Sequence, residues 1–373
     1  MFLGRKRKAT DCPQWERDLE IDVMFYPLDI DTKMAALKAS ASVVSITSYL
    51  GENELSHSSG IIIEYNDNCG IILTSANLVE CHNRQDSIAN EIMVVVHLSE
   101  HTSIGAEIIA CDFHYNLAAL KILCDTPLKV ASLALLDHSS TIDPSCLRTP
   151  IQLRPHLKSC NFIPGKAVTA LARSSTKSFK LMAAPGEISL NVCRYDYDCK
   201  ELLRATSKIS KCGIGGPVIN MNGEVIGICF YHRLYTPFLP VKIASIWWDH
   251  IKKYGEPRRP WLGMGVTNLY AANLSFLENF IKKFPNIFKG VIVKEVLQGS
   301  SADSVGIRQD DVIVQFDGKT VQSFLELFES MWSKVGEHVE LVVIRTGNDD
   351  PLLLKMKVDE ATADRLYSWP LWR

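Results

Sequence analysis

The sequence predicts a mainly β protein in which an all-β barrel or sandwich is followed by a small α+β module. Between residues 38 and 254, short runs of β-branched residues recur between Gly, Asn, Asp and Pro. Many short strands at regular spacing are typical of barrels and sandwiches. After residue 260, strand-like runs flank one helical pattern. The length of 373 residues is enough for roughly two to three domains with their own cores.

Five apolar runs predict the strands of the first domain. They cover residues 43–46, 60–63, 71–74, 92–96 and 225–228. The pair Asn222-Gly223 precedes the last run, and it is the dipeptide that two-residue hairpin turns prefer. The first domain is therefore expected to be built from antiparallel hairpins.

The second domain is expected to combine strands over 291–293, 312–314 and 339–345 with a helix over 321–332. This helix places Phe324, Leu327, Phe328 and Met331 on one face. Two prolines and two arginines in residues 255–260 predict a linker. The resulting domains are 38–254 and 261–361, with a poorly ordered lead-in at 1–37 and a tail at 362–373.

Charge and composition exclude several classes of protein. The net charge of -2 gives no overall attraction to nucleic acid or an anionic membrane. No apolar run approaches the roughly 18 residues of a membrane span, and the basic residues 5–8 lack the apolar segment of a secretory signal. Eleven cysteines without a CxxC pair indicate reduced thiols rather than disulfides or zinc. We expect an intracellular protein, cytosolic or nuclear, with neither metal nor cofactor.

Four segments resemble, in order, signatures of the Deg/HtrA (Do-like) serine protease family. Residues 58–61 resemble its Gly-Ser-Gly-Phe strand start, and residues 72–79 its Ile-Leu-Thr-Asn-Ala-His-Val-Val segment. Residues 112–121 resemble its Asp-x-x-x-Asp-Leu-Ala-Leu-Leu-Lys segment, and residues 212–218 its Gly-Asn-Ser-Gly-Gly-Pro-Leu loop. The resemblance implies a trypsin-like double β-barrel followed by a PDZ-like domain.

The same resemblance implies that the catalytic triad is degenerate. The family's general-base His, orienting Asp and nucleophilic Ser correspond to Asn77, Asn116 and Ile214. A carboxamide is not a base near neutral pH, and an isoleucine side chain has no nucleophilic atom. The oxyanion-hole glycine corresponds to Cys212, whose side chain restricts a backbone that often needs glycine.

Stand-in groups are an alternative source of chemistry. His82, Asp112 and His114 lie near the first two triad positions, and Cys212 lies two residues before Ile214. A thiol needs a positioned base before much of it is thiolate at neutral pH. We therefore expect Cys212 to be a small buried hydrophobe and the two histidines to be exposed.

The second domain retains a peptide-binding motif of the family. Residues Trp261, Leu262, Gly263 and Met264 resemble the loop whose N–H groups receive a peptide carboxylate in PDZ domains. An extended C-terminus would then pair beside residues 264–266 and place its last side chain under the helix. Leu325 and Phe328 on that helix are further candidates for the groove.

The resemblance implies a catalytically inactive homologue, a pseudoprotease that binds C-terminal or unfolded peptide segments as a scaffold or regulatory subunit. It also implies a homo-oligomer, or a mixed oligomer with active relatives. Two alternatives stay open, which are a weak serine-type endopeptidase of protein quality control and a holdase chaperone. Nucleic acid is not an expected partner.

Overall fold

The computed structural model describes residues 27–79, 88, 91–100, 102–134, 162, 164–174, 179–189, 199 and 201–362. The basic residues 5–8, His82 and most of the predicted tail lie outside these ranges. The described chain divides mainly into a first unit, residues 27–134 and 164–244, and a second unit, residues 245–362. The division falls ahead of the predicted linker at 255–260.

The first unit consists of two closed six-stranded barrels, which confirms the predicted double barrel. The first barrel comprises β1 (Val43–Leu50), β2 (Asn53–Asn66), β3 (Cys69–Thr74), β4 (Ile92–His97), β5 (Ser103–Asp112) and β6 (Leu117–Leu123), closed in the order β1-β2-β3-β6-β5-β4. The second comprises β7 (Ala167–Arg173), β8 (Leu181–Ser189), β9 (Leu203–Ala205), β10 (Pro217–Ile219), β11 (Val225–Cys229) and β12 (Thr236–Pro240), closed in the order β10-β11-β12-β9-β8-β7.

Alternating side chains of the first barrel's strands fill its interior. Val44, Ile46, Ile62, Ile72 and Leu120 are buried there in one apolar cluster. Alternate residues of a strand face the same side of a sheet, so the β-branched runs that predict the strands also supply this core. Closure of both barrels leaves the turns and loops between strands as the places where polar groups can meet.

A helix, α1 (Ile30–Ala39), precedes the first strand. The prediction of a poorly ordered lead-in is therefore wrong for residues 30–37. Asp29 caps this helix by accepting a 2.9 Å hydrogen bond from the Thr32 N–H. Acidic residues of this segment act as a cap and in the first helical turn, where they favour a helix instead of opposing structure.

The second unit contains a sheet in the order β14-β15-β16-β18-β19, with β17 paired to β16. Its strands are β14 (Met264–Asn268), β15 (Val291–Val296), β16 (Val312–Phe316), β17 (Lys319–Thr320), β18 (His338–Ile344) and β19 (Leu352–Lys357). A separate pair joins β13 (Pro260–Trp261) to β20 (Asp359–Glu360). Pro260 thus lies in a short strand, where proline is tolerated at the first position, and not in a linker.

Four further helices follow the strands of the two barrels. They are α2 (Val241–Tyr254), α3 (Leu274–Lys283), α4 (Ser301–Ser304) and α5 (Phe324–Trp332). The predicted helix over 321–332 is confirmed from Phe324, because Ser323 caps it by accepting from the Glu326 N–H. Leu327 and Met331 pack into the core of the sheet. Within the described residues, no helix combines the length and apolarity needed to cross a membrane.

Candidate functional site

Asn116 lies in the turn between β5 and β6 with a positive φ of 52°, a conformation that Asn tolerates better than most residues. Its Oδ1 accepts hydrogen bonds from Ser75 Oγ at 2.7 Å and from the Asn77 N–H at 3.1 Å. Its carbonyl oxygen accepts from the Ala76 N–H at 3.2 Å. The buried carboxamide therefore fixes the turn that carries Asn77, and one oxygen is sufficient for this task.

Asn77 lies in the middle of a 3₁₀ turn, Ala76–Leu78, directly after β3. Ser75 caps this turn, since its Oγ lies 3.2 Å from the Asn77 N–H. The side chain is partly buried. The turn thus presents a carboxamide at the position where the family resemblance places a base, and a carboxamide does not accept a proton near pH 7.

Ile214 follows a second 3₁₀ turn, Lys211–Gly213, and its backbone N–H donates to the Lys211 carbonyl at 3.1 Å. The Gly213 N–H donates in the same way to the Ser210 carbonyl at 3.0 Å. An oxyanion hole needs N–H groups aimed at the substrate. In this loop the Ile214 N–H is already used by the loop itself.

Cys212 is buried, as the sequence predicts, and packs in an apolar cluster with Ala172 and Met182. Its Sγ lies 3.0 Å from Ser210 Oγ, and its carbonyl oxygen accepts from Ser59 Oγ at 2.7 Å. A hydroxyl is not a general base at neutral pH. These contacts fit a packing residue rather than a displaced nucleophile.

The glycine that follows Ile214 fits a tight space next to the first barrel. Gly215 has a φ of 79°, and a Cβ there would lie 2.5 Å from Thr74 Oγ1 and 2.7 Å from the Ser75 N atom. Its N–H donates to the Cys229 carbonyl at 2.8 Å. The Gly-Gly-Pro sequence thus has a structural reason that involves no reacting group.

Two further stand-in candidates, Asp112 and His114, lie at the end of β5 and in the turn between β5 and β6. Asp112 is buried, and its Oδ1 accepts from the N–H groups of His114 and Tyr115, both at 3.0 Å. That bonding makes Asp112 a turn residue. His114 is partly buried, so the expectation of an exposed histidine is wrong, because the turn carries it inward beside Tyr115.

The loop of the second unit at residues 261–264 has a different character. Gly263 has a φ of 61°, and a Cβ there would lie 2.4 Å from Ser300 Cβ. Its carbonyl accepts from the Leu297 N–H at 2.9 Å and from Ser300 Oγ at 3.1 Å. Within the described part of the chain, the N–H groups of Leu262 and Gly263 have no hydrogen-bond acceptor.

β14 continues from this loop along the edge of its sheet, with β15 as its neighbour in the strand order. At its far end, Asn268 Oδ1 accepts a 2.6 Å hydrogen bond from the Phe324 N–H. That bond connects the edge strand to the start of α5. An edge strand beside a helix is the arrangement to which an extended peptide can add as a further strand.

The predicted groove residues divide into two sets. Trp261, Leu262 and Leu325 are partly exposed, whereas the side chains of Met264 and Phe328 are buried at 3% and 2% exposure. Met264 belongs to the core cluster under the sheet. A peptide would therefore meet its backbone, while side-chain contacts would come from the exposed set.

Helix α2 accounts for part of the burial at the end of α5. The ring of His250 meets Trp332 edge to face, with 4.8 Å between centroids, and Trp332 meets Phe328 at 6.1 Å. Sequence reasoning missed this contact and the Asn268 bond, because each joins residues more than fifty positions apart with no motif. Burial lowers the pKa of His250.

Comparison with known proteins identifies both units. A family model described as a trypsin-like peptidase domain matches residues 58–228, and one described as a PDZ domain matches residues 260–358. The chain is a homologue of the Do-like/HtrA serine proteases. It is 28% identical to Putative protease Do-like 14 of Arabidopsis thaliana over 343 residues, which are 88% of this chain and 72% of that relative.

Further Do-like relatives match over most of the chain. The serine protease Do-like HtrA of Bacillus subtilis is 24% identical, across 83% of this chain and 65% of that protein. The structure of an HtrA-type protease, AlgW with a tripeptide, aligns with a TM-score of 0.56 at 18% identity, covering 89% of this chain and 97% of that one. The structural match supports the fold.

In this Do-like/HtrA homologue, the first two positions that the resemblance assigns to the triad lie close together, because the Asn77 N–H donates to Asn116 Oδ1. The third position is tied to the first barrel through its carbonyl, since Ile214 O accepts from the Ser59 N–H at 2.8 Å. The side chains at these three positions are two carboxamides and an isoleucine.

Proposed function

We propose that this Do-like/HtrA homologue is catalytically inactive and serves as a scaffold or regulatory subunit that binds the C-termini of other proteins through its PDZ domain. One observation carries the proposal. The backbone N–H of Ile214, at the nucleophile position, bonds to Lys211 O, whereas the N–H groups of Leu262 and Gly263 stay unbonded within the described residues. One loop has closed on itself, and the other can still accept a ligand.

Inactivity follows from two independent losses. Removing the triad of a well-studied protease costs about 10⁶ in kcat. The remaining acceleration in such a case comes from the oxyanion hole and substrate binding, and loss of one oxyanion donor costs about 10²–10³ more. Here Asn77, Asn116 and Ile214 account for the first loss and the closed loop for the second.

Peptide binding is supported by the geometry of the second unit. A C-terminal carboxylate is an anion that backbone N–H groups can receive, and Leu262 and Gly263 supply two. The peptide backbone would then pair with the edge strand β14. Specificity would come from partly exposed apolar side chains. Leu262, just before β14, and Leu325, on α5, are two such side chains.

The test is fluorescence polarisation of the full chain with labelled peptides that end in a free carboxylate. Matched copies with an amidated C-terminus are the control. We expect binding that requires the carboxylate, because an amide loses the charge that the loop receives. Equal binding of both copies, or binding of neither by folded protein, would contradict the proposal.

A fluorophosphonate probe tests the inactive barrel in the same preparation. We expect no labelling of the native chain above that of heat-denatured protein. Labelling at one residue would instead support a weak serine-type endopeptidase. Suppression of client aggregation that is insensitive to competing C-terminal peptides would support the holdase.

A further inference from the structure

Three side chains of different chemistry converge where the two barrels meet, apart from the triad positions. His114 lies in the turn between β5 and β6 of the first barrel, while Cys199 and Glu201 lie just before β9 of the second barrel. One ligand atom of each, an imidazole nitrogen, Sγ and a carboxylate oxygen, lies within 4.8 Å of the other two. We name these three residues the His-Cys-Glu cluster.

Burial makes the carboxylate of this cluster unusual. Cys199 and Glu201 are 4% and 9% exposed. Within the described residues, the one hydrogen bond to the Glu201 carboxylate comes from Cys199 Sγ at 3.3 Å, and no Lys or Arg pairs with it. A thiol is a weak donor. Buried carboxylates are normally paired with a cation or bound to a metal, so this group needs more positive charge than the described residues give it.

The distance between two of the three donors, Cys199 Sγ and Glu201 Oε2, is close to that of a tetrahedral metal site. With Zn–S of about 2.3 Å and Zn–O of about 2.0 Å, two ligands at a tetrahedral angle lie about 3.5 Å apart. The Cys199 Sγ to Glu201 Oε2 distance is 3.3 Å. Thiolate, imidazole and carboxylate are each zinc ligands, and thiolate disfavours Mg²⁺ and Ca²⁺.

We propose that His114, Cys199 and Glu201 bind a Zn²⁺ ion that joins the two barrels. The thiol loses its proton on binding, so three protein ligands hold the ion and a fourth position remains for water or another donor. The ion would connect the Asp112–Asn116 turn with the segment before β9. The sequence predicted no metal site because His114 is separated from the other two ligands by more than eighty residues.

The experiment is cobalt(II) titration of full-length protein that has been freed of metal with a chelator. Co²⁺ is the probe because a cobalt–thiolate bond gives a charge-transfer absorption band. We expect this band at one Co²⁺ per chain, its loss when Zn²⁺ is added, and one zinc per chain by native mass spectrometry. Affinity should increase with pH, because binding displaces the thiol proton.

Variants separate this site from adventitious binding. Cys199→Ser should abolish the band, and Glu201→Gln should weaken the cobalt affinity by more than about tenfold, since even losing an outer partner costs about 10–100-fold. Cys111→Ser is the matched control, because Cys111 is a partly buried cysteine on β5 outside the cluster. The cobalt–thiolate band of this variant should persist.

Stability gives a second readout in case one variant folds poorly. Zn²⁺ should raise the Tm of the native chain and of Cys111→Ser, but not of His114→Gln. The proposal is overturned by folded protein that shows no band with excess Co²⁺, or by a band that survives Cys199→Ser. Neither result would bear on peptide binding, which the PDZ domain carries independently.

Discussion

The two loops that a Do-like/HtrA protease would use for its ligands differ in whether their N–H groups are bonded within the described residues. In the barrel loop, Ile214 and Gly213 donate to carbonyls of the same loop. In the PDZ loop, Leu262 and Gly263 have no acceptor among the described residues. Under the proposed function, the barrel loop lacks a free N–H at Ile214 as well as a reacting side chain. Restoring side chains alone would then leave the barrel loop closed.

Triad restoration is the strongest way to break this comparison. A variant with Asn77→His, Asn116→Asp and Ile214→Ser is compared with a second variant that also carries Cys212→Gly. We expect the second to exceed the first by about 10²–10³ in kcat on a fluorogenic peptide, the value of an oxyanion donor. Glycine at position 212 would let the turn open.

The matched control for this pair carries Ile214→Ala in place of Ile214→Ser and should show no turnover. Equal rates with Cys or Gly at position 212 would mean that the loop opens without help. The backbone explanation would then be wrong. Peptide binding by the PDZ domain should be unchanged in every variant.

Asn116→Ala is the next largest change, and it acts on stability. It removes the acceptor for Ser75 Oγ, while the partly buried Asn77 N–H keeps Ser75 Oγ as its acceptor. A buried donor left unpaired costs about 1–3 kcal/mol, so we expect the free energy of unfolding to fall by about that amount in urea denaturation. Asn116→Asp keeps an oxygen at the same place and should lose much less. Equal losses would show that the acceptor is unimportant.

Gly263→Ala sharpens the comparison from the PDZ side. The new Cβ would meet Ser300 Cβ at 2.4 Å, so the loop must shift and its N–H groups move. We expect the Kd for a carboxylate peptide to rise by about tenfold or more, a change of roughly 1.4 kcal/mol. Gly306→Ala is the control, because Gly306 has a similar φ of 80° with open space around it. A shared loss of binding would point to backbone strain alone.

The smallest effect concerns pH and the second unit. Burial lowers the pKa of His250, and Lys253 and Arg258 lower it further, while Asp249 raises it. The unfolded state therefore binds a proton more readily, so stability should fall as pH decreases from about 6.5 through the lowered pKa. His250→Gln should flatten this part of the stability curve. An unchanged curve would assign the effect to another group.

Local patterns predicted most of the fold. The β-branched runs predicted strands in both barrels, and the helix over 321–332 needed only a later start. Motif order also assigned Asn77, Asn116 and Ile214 to the triad positions, and this assignment stays a prediction. In each case, the prediction depends on a short stretch of chain, because side-chain alternation along a strand and the capping of a helix involve residues close in sequence.

The features that sequence reasoning missed depend on distant partners or on backbone direction. Asp29 is a single acidic residue in a weakly patterned segment, and its sequence neighbours do not reveal that its oxygen caps α1. The closed turn at Ile214 is a matter of which way one N–H points. The His-Cys-Glu cluster brings together a turn of one barrel and a segment of the other. Composition and spacing contain no signal for such meetings.

Gly215 has a consequence for how such chains are recognised. Its missing side chain makes room for Thr74 and Ser75, so the architecture requires this glycine whether or not a nucleophile stands beside it. A sequence motif based on Gly-Gly-Pro therefore detects the contact between the two barrels, and a genome survey that relies on it would count inactive homologues as proteases. Such a survey must also check the residue immediately before the two glycines, which is the nucleophile position.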